Sequence, residues 1–383
     1  MLRLVLLAFL ALALTPAEAA MCSHADIAKA ARAAKSARAS LTAIPLGDDI
    51  DAAIAPAARP LIANLKTLLA ELATITMRCQ TEYLDAPAAQ RELAALAEAG
   101  EPRQIDRYGQ AFSVAVTRMP LGFVTVTTGF NVKCASDEVV QIFADEGGVW
   151  RERLRIQNPP YKDAAGASSD VETRISLPDK SGRWFAVTKS VVPWCSSTWS
   201  SIRYAVLRPS DDPAHPHVLL SRSDSIWWGG GDMGRLAVDI HGFDLRFHAE
   251  SIDAGRHNRE WVRDFSVEGD SVKRTGLIAL SPRDFAEEWI QSKWDEAKGW
   301  TASGAPLRPI HDRLHAKPYG DYRSIRACGL GLTQIEIAPD GNDASVYLLV
   351  SGGTNFTMMN VSGSSDRRCT GKNLYDPDDP SRP

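Results

Sequence analysis

The chain has 383 residues and a formal charge of −4 at pH 7, from 43 Lys and Arg against 47 Asp and Glu. That near-balance excludes a global pull toward nucleic acid or an anionic membrane, and no nucleic-acid partner is expected. With 44% hydrophobic and 23% charged residues the composition is globular, and the length suits one large domain or two ordinary ones.

Arg3 precedes the apolar run 4–14, which is too short to span a bilayer. Pro16 and the small residues Ala17, Ala19 and Ala20 follow. This layout predicts a secretory signal peptide over residues 1–20, cleaved near Ala19 or Ala20. A lipid anchor would need a small residue before Cys22, and Met21 stands there. No later run is apolar and long enough to cross a membrane. The mature chain is therefore expected without an integral membrane segment, in a periplasm or outside the cell. Its six cysteines are Cys22, Cys79, Cys134, Cys195, Cys328 and Cys369. None forms a C-x-x-C pair, which argues against zinc, and an even count in an oxidising compartment predicts disulfides.

Residues 21–103 read as an Ala-rich helical region. Ile27, Ala30, Ala34, Ala37 and Leu41 share one stripe of a first helix. Leu61, Leu65, Leu68, Leu72 and Ile75 share one on a second, which Cys79 continues; Pro60 suits its start. Pairing these helices antiparallel brings Cys22 beside Cys79 and predicts a disulfide. A third helix is expected from Asp85, as N-cap, to a stop at Gly100.

From 104 to 370 the period changes from 3.6 to 2, so this region reads as β-rich. Hairpins are expected at Glu146–Gly148, Asp179–Gly182 and Glu268–Asp270. All ten tryptophans lie between Trp150 and Trp300, which predicts the largest packed core there. Within SIWWGGGDMGR the glycines do not lead into a helix and no lysine follows, so a phosphate loop is excluded. Leu236 and Val238, then Phe243, Leu245 and Phe247, read as strand, turn, strand. Trp227 and Trp228 should point to opposite faces of a strand, one buried and one open for stacking.

SPRDFAEEWIQSKWDEAKGW reads as one amphipathic helix with Ser281 as N-cap and Asp284 completing a capping box. Phe285, Trp289, Ile290 and Trp294 form its docking stripe, which leaves Glu287 and Glu288 on a solvent face. LTQIEIAPDGNDASVYLLVSGGTNFTMMNV reads as three short strands. Cys328 and Cys369 bracket them and are expected to pair, which leaves Cys134 for Cys195. Residues 371–383 read as a disordered tail.

Catalytic motifs are sparse. His311 and His315 in HDRLH are spaced like two ligands of a helical zinc site, but Asp312 replaces the usual glutamate base and no third ligand is evident; a polar connection is the expectation. His215 and His217 flank Pro216 and read as an exposed loop. There is no G-x-S-x-G elbow, no S-x-x-K and no thiol outside the disulfide set. No cofactor is expected.

These readings define an α+β fold: an antiparallel helical hairpin, then a mainly antiparallel β-sheet domain with one docked amphipathic helix. The function expected is that of an exported soluble binding or interaction protein. Its partner would be an unidentified small molecule, glycan or protein, met by aromatics at Trp194, Trp199, Trp227 and Trp228 or by the Ala-rich helices as a docking arm. The alternative is a hydrolase of envelope or extracellular polymers, working through a carboxylate pair or a metal on His311 and His315.

Overall fold

The structure, a computed structural model, describes residues 22–47, 53–81, 83–100, 102–192, 199–227, 233–253, 258–339, 344–353 and 355–376. The expected signal peptide, Trp194, Cys195, Trp228 and residues 377–383 lie outside these.

Three helices come first: α1 (His24–Thr42), α2 (Ala58–Arg78) and α3 (Ala86–Ala97). Ser23 caps α1 through the amide of Asp26, and Asp85 caps α3 through Ala88. The expected stop at Gly100 is corrected: the chain leaves α3 at Glu98, in the left-handed region with φ 56°. Arg38 of α1 replaces a glycine cap by donating to the α3 carbonyls of Ala97 and Glu98 and to Gly109 and Gln110. α1 and α2 run antiparallel, and Cys22–Cys79 joins the start of one to the end of the other. Closing a 57-residue separation in this way stabilises by about 4 kcal/mol on the chain-entropy account.

Among the described residues sixteen strands form four antiparallel sheets of four, each a meander in chain order. The first holds β1 (Phe112–Arg118), β2 (Phe123–Val132), β3 (Ala135–Asp145) and β4 (Trp150–Ile156). The second holds β5 (Ser169–Ile175), β6 (Ala186–Val191), β7 (Trp199–Arg208) and β8 (His217–Trp227). The third holds β9 (Arg235–Val238), β10 (Gly242–Glu250), β11 (Asn258–Glu268) and β12 (Ser271–Arg274). The fourth holds β13 (Gly320–Ala327), β14 (Leu332–Pro339), β15 (Val346–Ser351) and β16 (Thr357–Ser362). The three hairpin turns expected from Gly-containing stretches fall where alternation predicted them. β13 was not anticipated, because its sequence is polar and follows a Pro-rich connection.

The cores are serial: the first and second sheets share one apolar cluster, the second and third another, and the fourth packs on helices. The helices and first sheet share the largest cluster of buried apolar residues. This overturns the expectation that the tryptophan-rich middle would hold it: the buried tryptophans are dispersed as Trp150, Trp184, Trp261 and Trp289 over four separate clusters. Polar ties reinforce the helix–sheet contact. Lys66 of α2 pairs with Asp137 of β3 at 3.1 Å, both buried, and Tyr161 donates to the same carboxylate at 2.9 Å.

Between the third and fourth sheets sit α4 (Pro282–Gln291), α5 (Trp294–Ala297) and α6 (Arg308–Ala316). The single helix expected here is corrected to two. Ser292 leaves the helical region with ψ 151°, and its amide closes α4 on the Glu288 carbonyl. Cys328–Cys369 staples the fourth sheet to the segment that follows it. Residues 371–376, expected as the start of a disordered tail, instead run along β13, where Asn373 Oδ1 accepts from the Ile325 amide at 2.9 Å. Among the described residues no helix is long and apolar enough to cross a membrane.

Candidate functional site

α4 has no solvent face. Glu287 and Glu288 are 0% and 1% exposed, which corrects the outward placement expected for them. Glu288 accepts from Arg259 at 3.0 Å, Arg263 at 2.9 Å and Arg274 at 2.8 Å. Glu287 accepts from Arg259 Nε at 3.0 Å, Ser251 at 3.0 Å and the Ile252 amide at 3.1 Å. Arg283 pairs with buried Asp253, and Arg263 with Asp224 at 2.9 Å. The guanidiniums of Arg259 and Arg263 lie 4.8 and 4.4 Å from the Trp261 ring centre. Burial alone would raise the Glu288 carboxyl; the guanidiniums of Arg263, Arg274 and Arg259 outweigh it and hold it well below the ordinary carboxylate range. Every carboxylate in this cluster is answered by a guanidinium, an arrangement that holds an interface together.

The two HDRLH histidines are also committed. They lie on α6, with rings stacked at 5.7 Å. The ring N–H of His311 Nε2 donates to the Trp289 carbonyl at 3.0 Å, and that of His315 Nδ1 to Ile290 at 2.9 Å. Both therefore serve the open carbonyls at the end of α4. Burial lowers the pKa of His311, against Asp312 and the Trp289 carbonyl, so its neutral form is favoured. Among the described residues no group of three or more His, Cys, Asp or Glu is placed to hold a metal ion. His215 is exposed and bonded to Asp212 at 2.7 Å, and His217 opens β8 in solvent.

Trp199 and Trp227 behave differently. They are directly opposed in the β7–β8 ladder, with ring centres 6.5 Å apart. Both are half-buried, and neither belongs to the packed clusters formed by the described residues. Alternation explains this. Ile202, Tyr204 and Val206 of β7 point into the core shared with the third sheet. Trp199, Ser201 and Arg203 take the other face, opposite Trp227, Ser225 and Ser223.

A cavity of about 480 Å³ opens on that face, lined by Ala165, Val192, Trp199, Ser201, Arg203 and Ser223 among others. Arg203 donates to the Ala165 carbonyl at 2.6 Å and has no carboxylate within ion-pair range among the described residues. Val192 also lines a second cavity, about 620 Å³, between the first and second sheets. Phe112, Phe130 and Met233 give that cavity apolar walls, and Lys133 and Asp170 stand at it in left-handed backbone, φ 49° and 52°. Cys134 lines it too and is disulfide-bonded; its expected partner Cys195 lies outside the described residues. Behind Gly129 and Ser136, burial raises the Glu138 carboxyl above its ordinary range; the nearby Asp170 carboxylate adds to this, against the Val171 amide.

Of the four tryptophans singled out in sequence, the two in described residues thus meet as one pair. Arg203, Lys133, Asp170 and Glu138 were missed. The signal for Arg203 was available: it sits in phase with Trp199 and out of phase with the apolar residues of its strand. The protein-family models gave no match to the chain, and neither did the curated proteins.

Proposed function

We propose that the chain is an exported, disulfide-stapled binding protein, with a helical region over 21–103 and a β-rich region over 104–370. Its ligand is a small molecule or glycan that docks on the outward face of β7 and β8. The observation that carries this is the combination at one cavity of Trp199, half-exposed and paired with Trp227 across the ladder, with an arginine that no acid among the described residues answers. A tryptophan face stacks on flat rings, and a guanidinium without a partner selects an anion. Serine hydroxyls at 201, 223 and 225 add hydrogen-bonding capacity on the same face. Together they suit an acidic sugar or a similar flat, hydroxyl-bearing anion. The two disulfides and the N-terminal sequence support export to an oxidising compartment, periplasmic or extracellular.

Intrinsic tryptophan fluorescence tests this with oligogalacturonates and neutral maltooligosaccharides. The acidic series is expected to shift emission and bind, and Arg203→Ala to weaken it tenfold or more while leaving the neutral series unchanged. Equal response to both series, or no effect of Arg203→Ala, removes the reading.

A second reading, hydrolysis of an extracellular polymer, is favoured by Glu138 and Asp170. Asp170 lines the cavity between the first and second sheets, Glu138 lies near enough to feel its charge, and the raised Glu138 carboxyl is suited to general-acid work. Release of reducing ends from the same oligogalacturonates, lost in Glu138→Gln with binding intact, would favour it over simple binding.

A further inference from the structure

The turn between β13 and β14 carries a contradiction that its own contacts do not resolve. Gly329, Leu330 and Gly331 all have positive φ, at 76°, 52° and 73°. Glycine adopts this conformation without cost; leucine is strained in it. Leu330 is also 96% exposed, the most exposed large apolar side chain among the described residues. Strain and exposure of an apolar group both work against this residue in the isolated fold.

The surroundings hold it there firmly. The Cys328 amide donates to the Leu332 carbonyl at 2.9 Å, Leu332 back to Gly329 at 3.0 Å, and Gly352 to Gly331 at 2.7 Å. Cys328, next to the turn, is tied to Cys369. That bridge brings up a basic segment: Arg367, Arg368 and Lys372 are all exposed. Arg368 is answered by Asp366 at 2.7 Å, whereas Arg367 and Lys372 have no ion-pair partner among the described residues. The turn therefore offers one rigid apolar knob, and the segment stapled to its strand carries two exposed cations with no ion-pair partner among the described residues.

We propose that this tip docks the protein on an anionic lipid surface, with Leu330 entering the interface and Arg367 and Lys372 meeting lipid headgroups. The charge pattern favours lipid over a protein partner. A convex tip with a single leucine gives too little area for a stable protein interface, while shallow insertion beside diffuse positive charge is how peripheral proteins hold membranes. The net charge of −4 makes the attraction local to this tip and so weak, reversible and salt-sensitive. This inference is independent of the β7–β8 cavity.

Flotation of the full chain with phosphatidylglycerol–phosphatidylcholine vesicles, against phosphatidylcholine alone, is the test. Binding is expected only with the anionic vesicles at low salt. Leu330→Ser is expected to weaken it tenfold or more, and Arg367→Gln with Lys372→Gln roughly thirtyfold. Leu330→Gly should also lose binding, yet melt no lower than the native chain because it relieves the backbone. The proposal is overturned by any of four results: absence of binding to anionic vesicles, equal binding to both compositions, binding indifferent to Leu330→Ser, or a lowered melting temperature in Leu330→Gly, which would make the leucine a structural residue. Leu330-dependent capture of a protein without vesicle binding overturns it as well.

Discussion

Two regions of this molecule use tryptophan and arginine side by side, to opposite ends. On β11 and β12, Arg259, Arg263 and Arg274 stand near Trp261 and Trp300 and are answered by Glu287, Glu288, Asp224 and Glu296. On β7, Arg203 shares a strand face and a cavity with Trp199 and has no acid within ion-pair range among the described residues. Residue type is therefore a poor guide to role here. A buried guanidinium whose charge is returned by a carboxylate joins two layers of the fold. One left unreturned at an open cavity is free to recognise something else.

The sharpest way to break this comparison is to unbalance the buried side. Glu288→Gln removes the carboxylate that three arginines share in a buried site. About 3–5 kcal/mol of stability should disappear, read as a lower midpoint in urea or guanidinium. A loss under about 1 kcal/mol would mean that the cluster is not the joint described. The same group sets an acid limb. Its folded pKa is depressed below the unfolded value, so its stabilisation is complete above about pH 4.3 and is lost as pH falls below that. Glu288→Gln should flatten that limb.

His311 gives a smaller effect at milder pH. Its folded pKa is lowered by burial, so the unfolded chain takes a proton first. Its contribution is present above about pH 6.5 and falls as the pH drops through the lowered value. The groups facing it are Asp312 on its own helix, the stacked His315, the Trp289 and Trp294 rings and the Trp289 carbonyl. Gln at 311 keeps a donor for that carbonyl and cannot titrate. His311→Gln should therefore remove the stability slope that sets in as the pH falls below about 6.5. An unchanged slope would place the titration elsewhere.

Why one region was legible in the sequence and the other was not follows from phase. The apolar stripe Phe285, Trp289 and Ile290 was plain, and so was the Ser281 cap. What failed was the inference that the opposite face of α4 must meet water. A face of two glutamates looks the same whether solvent or arginine lies against it; only the partner strand tells. That strand did carry a clue. Arg259 and Arg263 share the parity of Trp261 and Phe265, so a face read as core already contained two charges. Any such face needs acids delivered from another element. The helical hairpin and its disulfide were legible because both depend on neighbours in sequence and on helix length. The four-sheet arrangement was not, since each meander is local while the stacking of sheets depends on side chains far apart in the chain.

The open side should respond in the reverse sense, and this is the smallest stability effect expected. Arg203 spends one hydrogen bond on the Ala165 carbonyl and is only partly buried. Trp199 and Trp227 contact each other at the end of their ladder and lie outside the packed clusters. Arg203→Ala and Trp199→Ala should each cost less than about 1 kcal/mol in the same denaturation assay. Their cost should appear instead in binding of acidic oligosaccharides. Were Arg203→Ala to destabilise the chain by as much as Glu288→Gln, the guanidinium would be a structural tie, and the contrast between returned and unreturned charge would collapse. A small stability change with a large loss of binding would separate the two roles cleanly, because the same substitution at Arg263 cannot give that result: removing it strands Asp224 and weakens the hold on Glu288 in one step.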